Sequence, residues 1–245
     1  MIPSAEKIEI VRQLQAKIDA MQGLGKPLRE PAHGDLAPFT AAFPGQVFPT
    51  GAIHEFISYE VTNAAATRGF ITALTGRLMR KGGLCLWISR NRDIYPSGLR
   101  NFGLEPDRIV FINAAHPKDA LWILEEALKC EALTAVISEI RELSFTDSRR
   151  LQLAVENSGV TGFIHRLCPR AENALACTTR WKITTLPSVS VDNLPGVGFS
   201  AWDVQLLKVR NGRPLSWQVS WSGSSFVPLG EKNNSEPLLN KRYTG

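Results

Sequence analysis

Ile8, Val11, Leu14, Ile18 and Met21 recur every three or four residues, the spacing that lines one face of a helix. The pattern predicts an N-terminal amphipathic helix within residues 1–22, capped by Ser4 and stopped by Gly23 and Gly25. Residues 23–50 are rich in proline and glycine and read as a linker. The pattern then changes. Gly51–Phe56, Leu84–Ile88, Arg108–Ile112, Thr134–Ile140 and Thr161–Leu167 are short apolar runs, as expected for strands covered on both faces. Between them, Gly69–Arg80, Pro117–Cys130 and Thr146–Ser158 read as helices, the second with proline in its first turn and the third capped by Ser144 or Thr146 and stopped by Gly159. Strand and helix in alternation argue for a parallel sheet flanked by helices.

After about residue 178 apolar and polar residues alternate with period two, in TTRWKITTL, WDVQLLKVR and SWQVSW. Asn211-Gly212 between the last two signals a hairpin. The expected organisation is one α/β core over 51–230 that ends in antiparallel strands, followed by a polar tail, 231–245.

Composition narrows the class. Of 245 residues 44% are hydrophobic and 21% charged, the balance of a globular chain. The four cysteines are scattered with no C-x-x-C pair, which points to buried reduced thiols. MIPSAEKIEIVRQ lacks the basic and apolar regions of an export signal, so a cytoplasmic location is expected. The four histidines do not share metal-ligand spacing, so no metal is expected, and His54 and His165 read as hydrogen-bonded core residues. Trp122 reads as core. The net charge of +5 is unevenly spread: residues 51–100 carry seven Lys/Arg against three acids, and residues 101–150 six against nine. Such a surplus permits nucleic-acid contact without requiring it.

The order of elements resembles the RecA-like core. IHEF (53–56), YPSGL (95–99), FGL (102–104), DALWILEEAL (119–128), SRRLQLA (148–154), TRW (179–181) and W-x-V-x-W (217–221) further resemble the ImuA proteins of bacterial mutagenesis cassettes. That resemblance implies an accessory role in damage-induced mutagenesis. It also implies, as partners, the inactive Y-family polymerase homologue ImuB and an error-prone replicative-type polymerase; RecA is a further candidate that the resemblance itself does not supply.

The strand–loop–helix at Ile53–Arg80 is where such a fold would bind a nucleotide, and SYEVTNAAATRGF has none of the glycine, lysine and hydroxyl pattern of G-x-x-x-x-G-K-[ST]. Alanine resists the positive φ that a tight phosphate loop needs. The residues standing there are Ser58, Asn63, Thr67 and Arg68, with Glu139 where a magnesium-associated acid would be. Arg68 reads as a solvated helix-start residue, and Glu139 as a cap or as a partner for Arg141 or Arg149. The expectation is therefore a degenerate nucleotide loop, no cofactor and no enzymatic activity. Rival readings are a nucleotide-switched ATPase using Arg68 and Glu139, and a cell-division inhibitor resembling SulA. For DNA, Arg149, Arg150, Arg166 and Arg170 are candidate phosphate contacts, although the eleven-residue connection 168–178 is too short for the DNA loop of a recombinase. For protein partners or self-association, the candidates are Ile8, Val11, Leu14 and Ile18 on the first helix and Trp202, Trp217 and Trp221 in the last strands.

Overall fold

A computed structural model of the chain describes residues 36–91, 93–190 and 196–229. The predicted N-terminal helix, with Ile8, Val11, Leu14 and Ile18, and the tail 231–245 lie outside the described residues.

Nine strands form one sheet among the described residues: β1 (Ile53–Ser58), β2 (Leu84–Ser89), β3 (Ile109–Asn113), β4 (Leu133–Ile140), β5 (Thr161–Leu167), β6 (Thr179–Val189), β7 (Phe199–Val209), β8 (Ser216–Trp221) and β9 (Phe226–Pro228). Their order is β3-β2-β4-β5-β1-β6-β7-β8-β9. The first six run parallel to their neighbours, and β7, β8 and β9 continue the sheet antiparallel. The mixed sheet follows the change of period: the unbroken apolar runs pair parallel, the alternating segments pair antiparallel with one another, and β6 joins the two sets, parallel to β1 and antiparallel to β7.

Among the described residues three α-helices cover the sheet: α1 (Ala64–Leu78), α2 (Pro117–Leu128) and α3 (Phe145–Ser158). Ser144 caps α3, its Oγ accepting from the Asp147 amide at 3.0 Å, and Gly159 ends it at φ +71°. That settles the choice between Ser144 and Thr146. Alternation along β1 separates two cores. Phe56 joins Phe70, Ile71 and Leu74 of α1 on one face, while Ile53 joins Leu124 and Leu128 of α2 and Leu151 and Val155 of α3 on the other. Truncating a fully buried ring such as Phe70 to alanine would cost about 3–5 kcal/mol.

The stretch read as a linker contributes to the core. Leu36, Phe39, Ala42, Phe43 and Phe48 are buried. Phe39 meets Phe70, Trp217 and Phe226 edge-on, at ring-centroid separations of 5.3, 5.2 and 4.9 Å. Its prolines and glycine shape two short 3₁₀ turns, Phe39–Ala42 and Pro44–Gln46, that present these rings. Turn chemistry and core chemistry coincide in one segment, and the linker reading weighed only the first. At Gly212 a side chain would stand 2.4 Å from the Ala42 carbonyl oxygen, which accepts the Arg213 amide. The hairpin glycine therefore also docks the N-terminal segment.

Trp122 overturns its core assignment, being 65% exposed. The buried stripe of α2 is Ala120, Leu124, Ala127 and Leu128. Trp122 lies about 200° around the helix from Ala120 at 100° per residue, on the far side.

Candidate functional site

The connection from β1 to α1 is five residues, Tyr59 to Asn63, folded into a 3₁₀ turn over Val61–Asn63. No residue from 59 to 68 has positive φ, so the backbone lacks the alternation of handedness that turns successive amides onto a phosphate. Asn63 stands at the N-cap but does not cap; its Oδ1 accepts from the Thr185 amide of β6 at 3.4 Å.

Behind the turn the hydroxyls are used internally. Ser58 Oγ lies 2.8 Å from Thr67 Oγ1 and 2.9 Å from His165 Nε2, and Thr67 donates to the Asn63 carbonyl at 3.0 Å. Each hydroxyl has one proton. With the Thr67 proton committed to Asn63, all three contacts are met in one direction only: His165 Nε2–H donates to Ser58, Ser58 to Thr67, and Thr67 to the carbonyl. The histidine is then neutral with its proton on Nε2, leaving Nδ1 as a buried acceptor without a partner. Burial holds its pKa down at about 4, in keeping with that tautomer. Thr67 is wholly buried, so the hydroxyl that would face magnesium in a phosphate loop instead ties α1 to β1 and β5.

Arg68 closes the mouth. Its Nε and Nη2 donate to the two carboxylate oxygens of Glu139, at 2.9 and 2.7 Å. Trp87 Nε1 adds a third bond, 3.2 Å to Glu139 Oε1, and Asp93 stands 3.9 Å from Arg68 Nη2. The fork-to-fork geometry is the strong form of the pair, and the hydrogen bonds Arg68 donates to Glu139 raise the Arg68 pKa further. Arg68 is thus no free helix-start residue, and Glu139 pairs with neither Arg141 nor Arg149. The cation and the acid that a nucleotide and its metal would need hold each other. Sequence reasoning missed Trp87 and His165 as members because their approach depends on β2 and β5 flanking β4, which spacing along the chain does not reveal.

The candidate DNA contacts do not form one surface. Arg166 is fully buried on the opposite face of the sheet, which removes it as a phosphate contact. Its Nη1 donates to Glu55 Oε1 at 2.9 Å and to Asn173 Oδ1 at 3.1 Å. Arg180 donates to Glu55 Oε2 at 2.6 Å and to the Asn173 carbonyl at 2.6 Å. These bonds pin the 168–178 connection to the sheet. Arg150 is exposed but engages Glu125 and Asp147. Arg149 and Arg170 are exposed.

The tryptophans proposed as partner contacts close the core instead. Trp202 and Trp221 are 2% and 3% exposed. Trp217, half-buried, stacks on Trp181 at 6.1 Å. Trp217 meets Phe39 and Trp202 meets Phe70 of α1, both distant in sequence, while Trp202 and Trp221 share Phe226 of β9. Of the cysteines, Cys85 and Cys177 are buried with thiol pKa values pushed up to about 12, whereas Cys130 is exposed, against the expectation of burial. His54 is a bonded core residue, between Thr179 Oγ1 at 2.7 Å and the Pro49 carbonyl at 2.8 Å. No helix among the described residues is long and apolar enough to cross a membrane, and no group of three or more His, Cys, Asp or Glu among them could hold a metal.

Fold and site together define a mixed α/β domain in which Arg68 and Glu139 close the mouth of the β1–α1 connection. The chain belongs to the ImuA family: it is 34% identical over 187 residues to Protein ImuA of Caulobacter vibrioides, in strains NA1000 / CB15N and ATCC 19089 / CIP 103742 / CB 15, across 71% of this chain and 77% of that protein. It is also 26% identical over 117 residues to the cell division inhibitor SulA of Yersinia pestis (strain Pestoides F), across 48% of this chain and 68% of that protein. No protein-family model matches.

Proposed function

We propose that this chain is a non-catalytic accessory protein of error-prone translesion synthesis in the DNA damage (SOS) response, acting in the cytoplasm through contacts with ImuB-type and polymerase partners. Family membership supports the pathway. The Arg68–Glu139 pair supports the absence of catalysis and is the observation that carries it. Phosphoryl transfer depends on a lysine, a metal-bound hydroxyl and an acid all directed at the nucleotide. Here Thr67 is buried and committed, Glu139 is neutralised by Arg68, and Asp93 is the acid nearest that arginine after β2. Each missing electrostatic contribution is worth on the order of 3 kcal/mol of transition-state stabilisation.

The direct test pairs two measurements on purified full-length protein. Calorimetry with ATP and magnesium is expected to show no binding, and co-expression with an ImuB-type protein is expected to give a stable complex. Micromolar ATP binding abolished by Arg68→Ala would overturn the non-catalytic reading in favour of a nucleotide-switched ATPase. The partial likeness to SulA supports a second reading, an inhibitor of cell division. Capture of a tubulin-like division protein in place of the polymerase homologue would select it.

A further inference from the structure

A separate cleft of about 450 Å³ opens beyond the C-terminal ends of β2 and β4, bounded by the β3–α2 junction and the β4–α3 turn. It lies at a reversal of the sheet: the chain leaves β2 toward β3 on one side, and leaves β4 toward β5 on the other. Crevices at such reversals are where open α/β sheets receive ligands, and the volume falls in the range of small-molecule sites. Four cations line it, Arg90, Lys118, Arg141 and Arg170. Its floor is apolar, with Ala114, Leu121 and Ile140.

The cations of the cleft are only partly compensated among the described residues. Glu139 reaches it, but its carboxylate is held by Arg68. Glu142 reaches it too, and accepts the Arg170 amide at 3.0 Å with Arg141 Nε and Arg166 Nη2 each 3.7 Å away. Arg141 donates its Nε to the Cys168 carbonyl. The side chains of Arg90, Lys118 and Arg170 have no hydrogen-bond or ion-pair partner among the described residues. Three free cations over an apolar floor, in a space of this size, suit a ligand with a compact anionic group and a flat, weakly polar body.

We propose that this cleft binds the phosphate of a nucleotide, free or at the end of a DNA strand, with phosphate oxygens at Arg90, Lys118 and Arg170 and the nucleoside over the Ala114–Leu121–Ile140 floor. The site adjoins the closed mouth at Arg68, with Glu139 in the wall between them, and calls for no hydrolysis. It rests on the cleft geometry, so it stands or falls separately from the accessory role.

The experiment is a fluorescence-anisotropy titration of the full-length protein with a labelled thymidine octanucleotide carrying either a 5′-phosphate or a 5′-hydroxyl, with dTMP as competitor. A site for a strand end gives at least tenfold tighter binding of the phosphorylated strand. A site for free nucleotide gives dTMP binding in calorimetry whether or not the strand binds. In either case Lys118→Gln combined with Arg170→Gln weakens binding at least tenfold, while thermal unfolding is unchanged because both side chains are exposed. Binding that survives the double substitution would overturn the proposal. So would equal affinity for the two strands together with no dTMP binding, and so would an octaglutamate peptide binding as tightly as the phosphorylated ligands. Capture of the polymerase homologue by the same double variant reports on the accessory role independently.

Discussion

The two faces of the sheet each carry a carboxylate gripped by arginine, and they differ in what surrounds the grip. Glu55 and Arg166 are 1% and 0% exposed, with Arg180 completing the cluster. Glu139 and Arg68 are 11% and 24% exposed, at the mouth of the β1–α1 connection. A buried ion pair gives little net stability over an apolar replacement of the same volume, but breaking it is costly because one charge is stranded. A pair at the rim strands a charge that water can reach. The same chemistry therefore acts as an internal rivet on one face and as a plug on the other.

The largest effect is expected at the rivet. Glu55→Ala removes the one buried carboxylate shared by Arg166 and Arg180, leaving them only the more exposed Glu142 and Glu172, and should cost about 3–5 kcal/mol. Urea unfolding measures it. The sharper form replaces the pair together: Glu55→Leu with Arg166→Met should retain more stability than either single substitution. If the double variant is as unstable as the sum of the singles, the cluster is not acting as a coupled charge pair.

Acid should come next. His54 and His165 have pKa values held near 4 by burial, against 6.5 in an unfolded chain. Between those values the unfolded state binds more protons, so stability falls as pH drops from 6.5 toward 4 and is constant in these groups above 6.5. Each histidine can remove on the order of 3 kcal/mol across that window. His165→Gln should roughly halve the pH slope of the unfolding free energy; an unchanged slope would mean that the histidine is protonated in the folded protein.

Why so much of the fold was legible, and so little of the site, follows from what spacing encodes. Apolar runs separated by helical periodicity place β2, β4, β5, α2 and α3 to within a few residues, because burial leaves a continuous signature, whereas α1 begins at Ala64, five residues before the predicted Gly69, in a stretch read as loop. The missing glycines of the β1–α1 turn are equally local. The contacts of Arg68 are not local, since Glu139 lies 71 positions from Arg68 and Trp87, which bonds the same carboxylate, lies 52 positions from Glu139. Arg166 failed as a DNA candidate for a related reason. In Thr161–Leu167 it alternates onto the face of Ile164, and nothing in the sequence says that Glu55 and Asn173 wait there. Phe39 and Trp217 were likewise assigned apart, one to a linker and one to a partner surface, although they meet ring to ring.

The plug should give the intermediate effect. Arg68→Ala removes both bonds to Glu139 and leaves it with Trp87, at a cost of about 2 kcal/mol. Arg68→Lys keeps the charge but loses the fork, and should recover only part of that. Neither variant is expected to gain ATP affinity, because the turn still lacks residues with positive φ and Thr67 stays committed. A variant that opens the mouth and binds ATP with magnesium would show that the arginine alone excludes the nucleotide.

The smallest effect sharpens the contrast between arginines in different settings. Arg150 is exposed and paired with Glu125 and Asp147, in reach of water and salt. Arg149 is exposed beside it. Exposed pairs contribute about 0–1 kcal/mol, so Arg150→Ala should shift the unfolding free energy by less than 1 kcal/mol, and that shift should shrink as salt is raised. Arg149→Ala should change it by no more than about 0.5 kcal/mol at any salt concentration. Four arginines that look alike in sequence, at 68, 149, 150 and 166, would then rank by burial and by whether a carboxylate is left stranded. An Arg149 effect as large as that of Arg68 would break the ranking and place an uncharted contact on the outer face of α3.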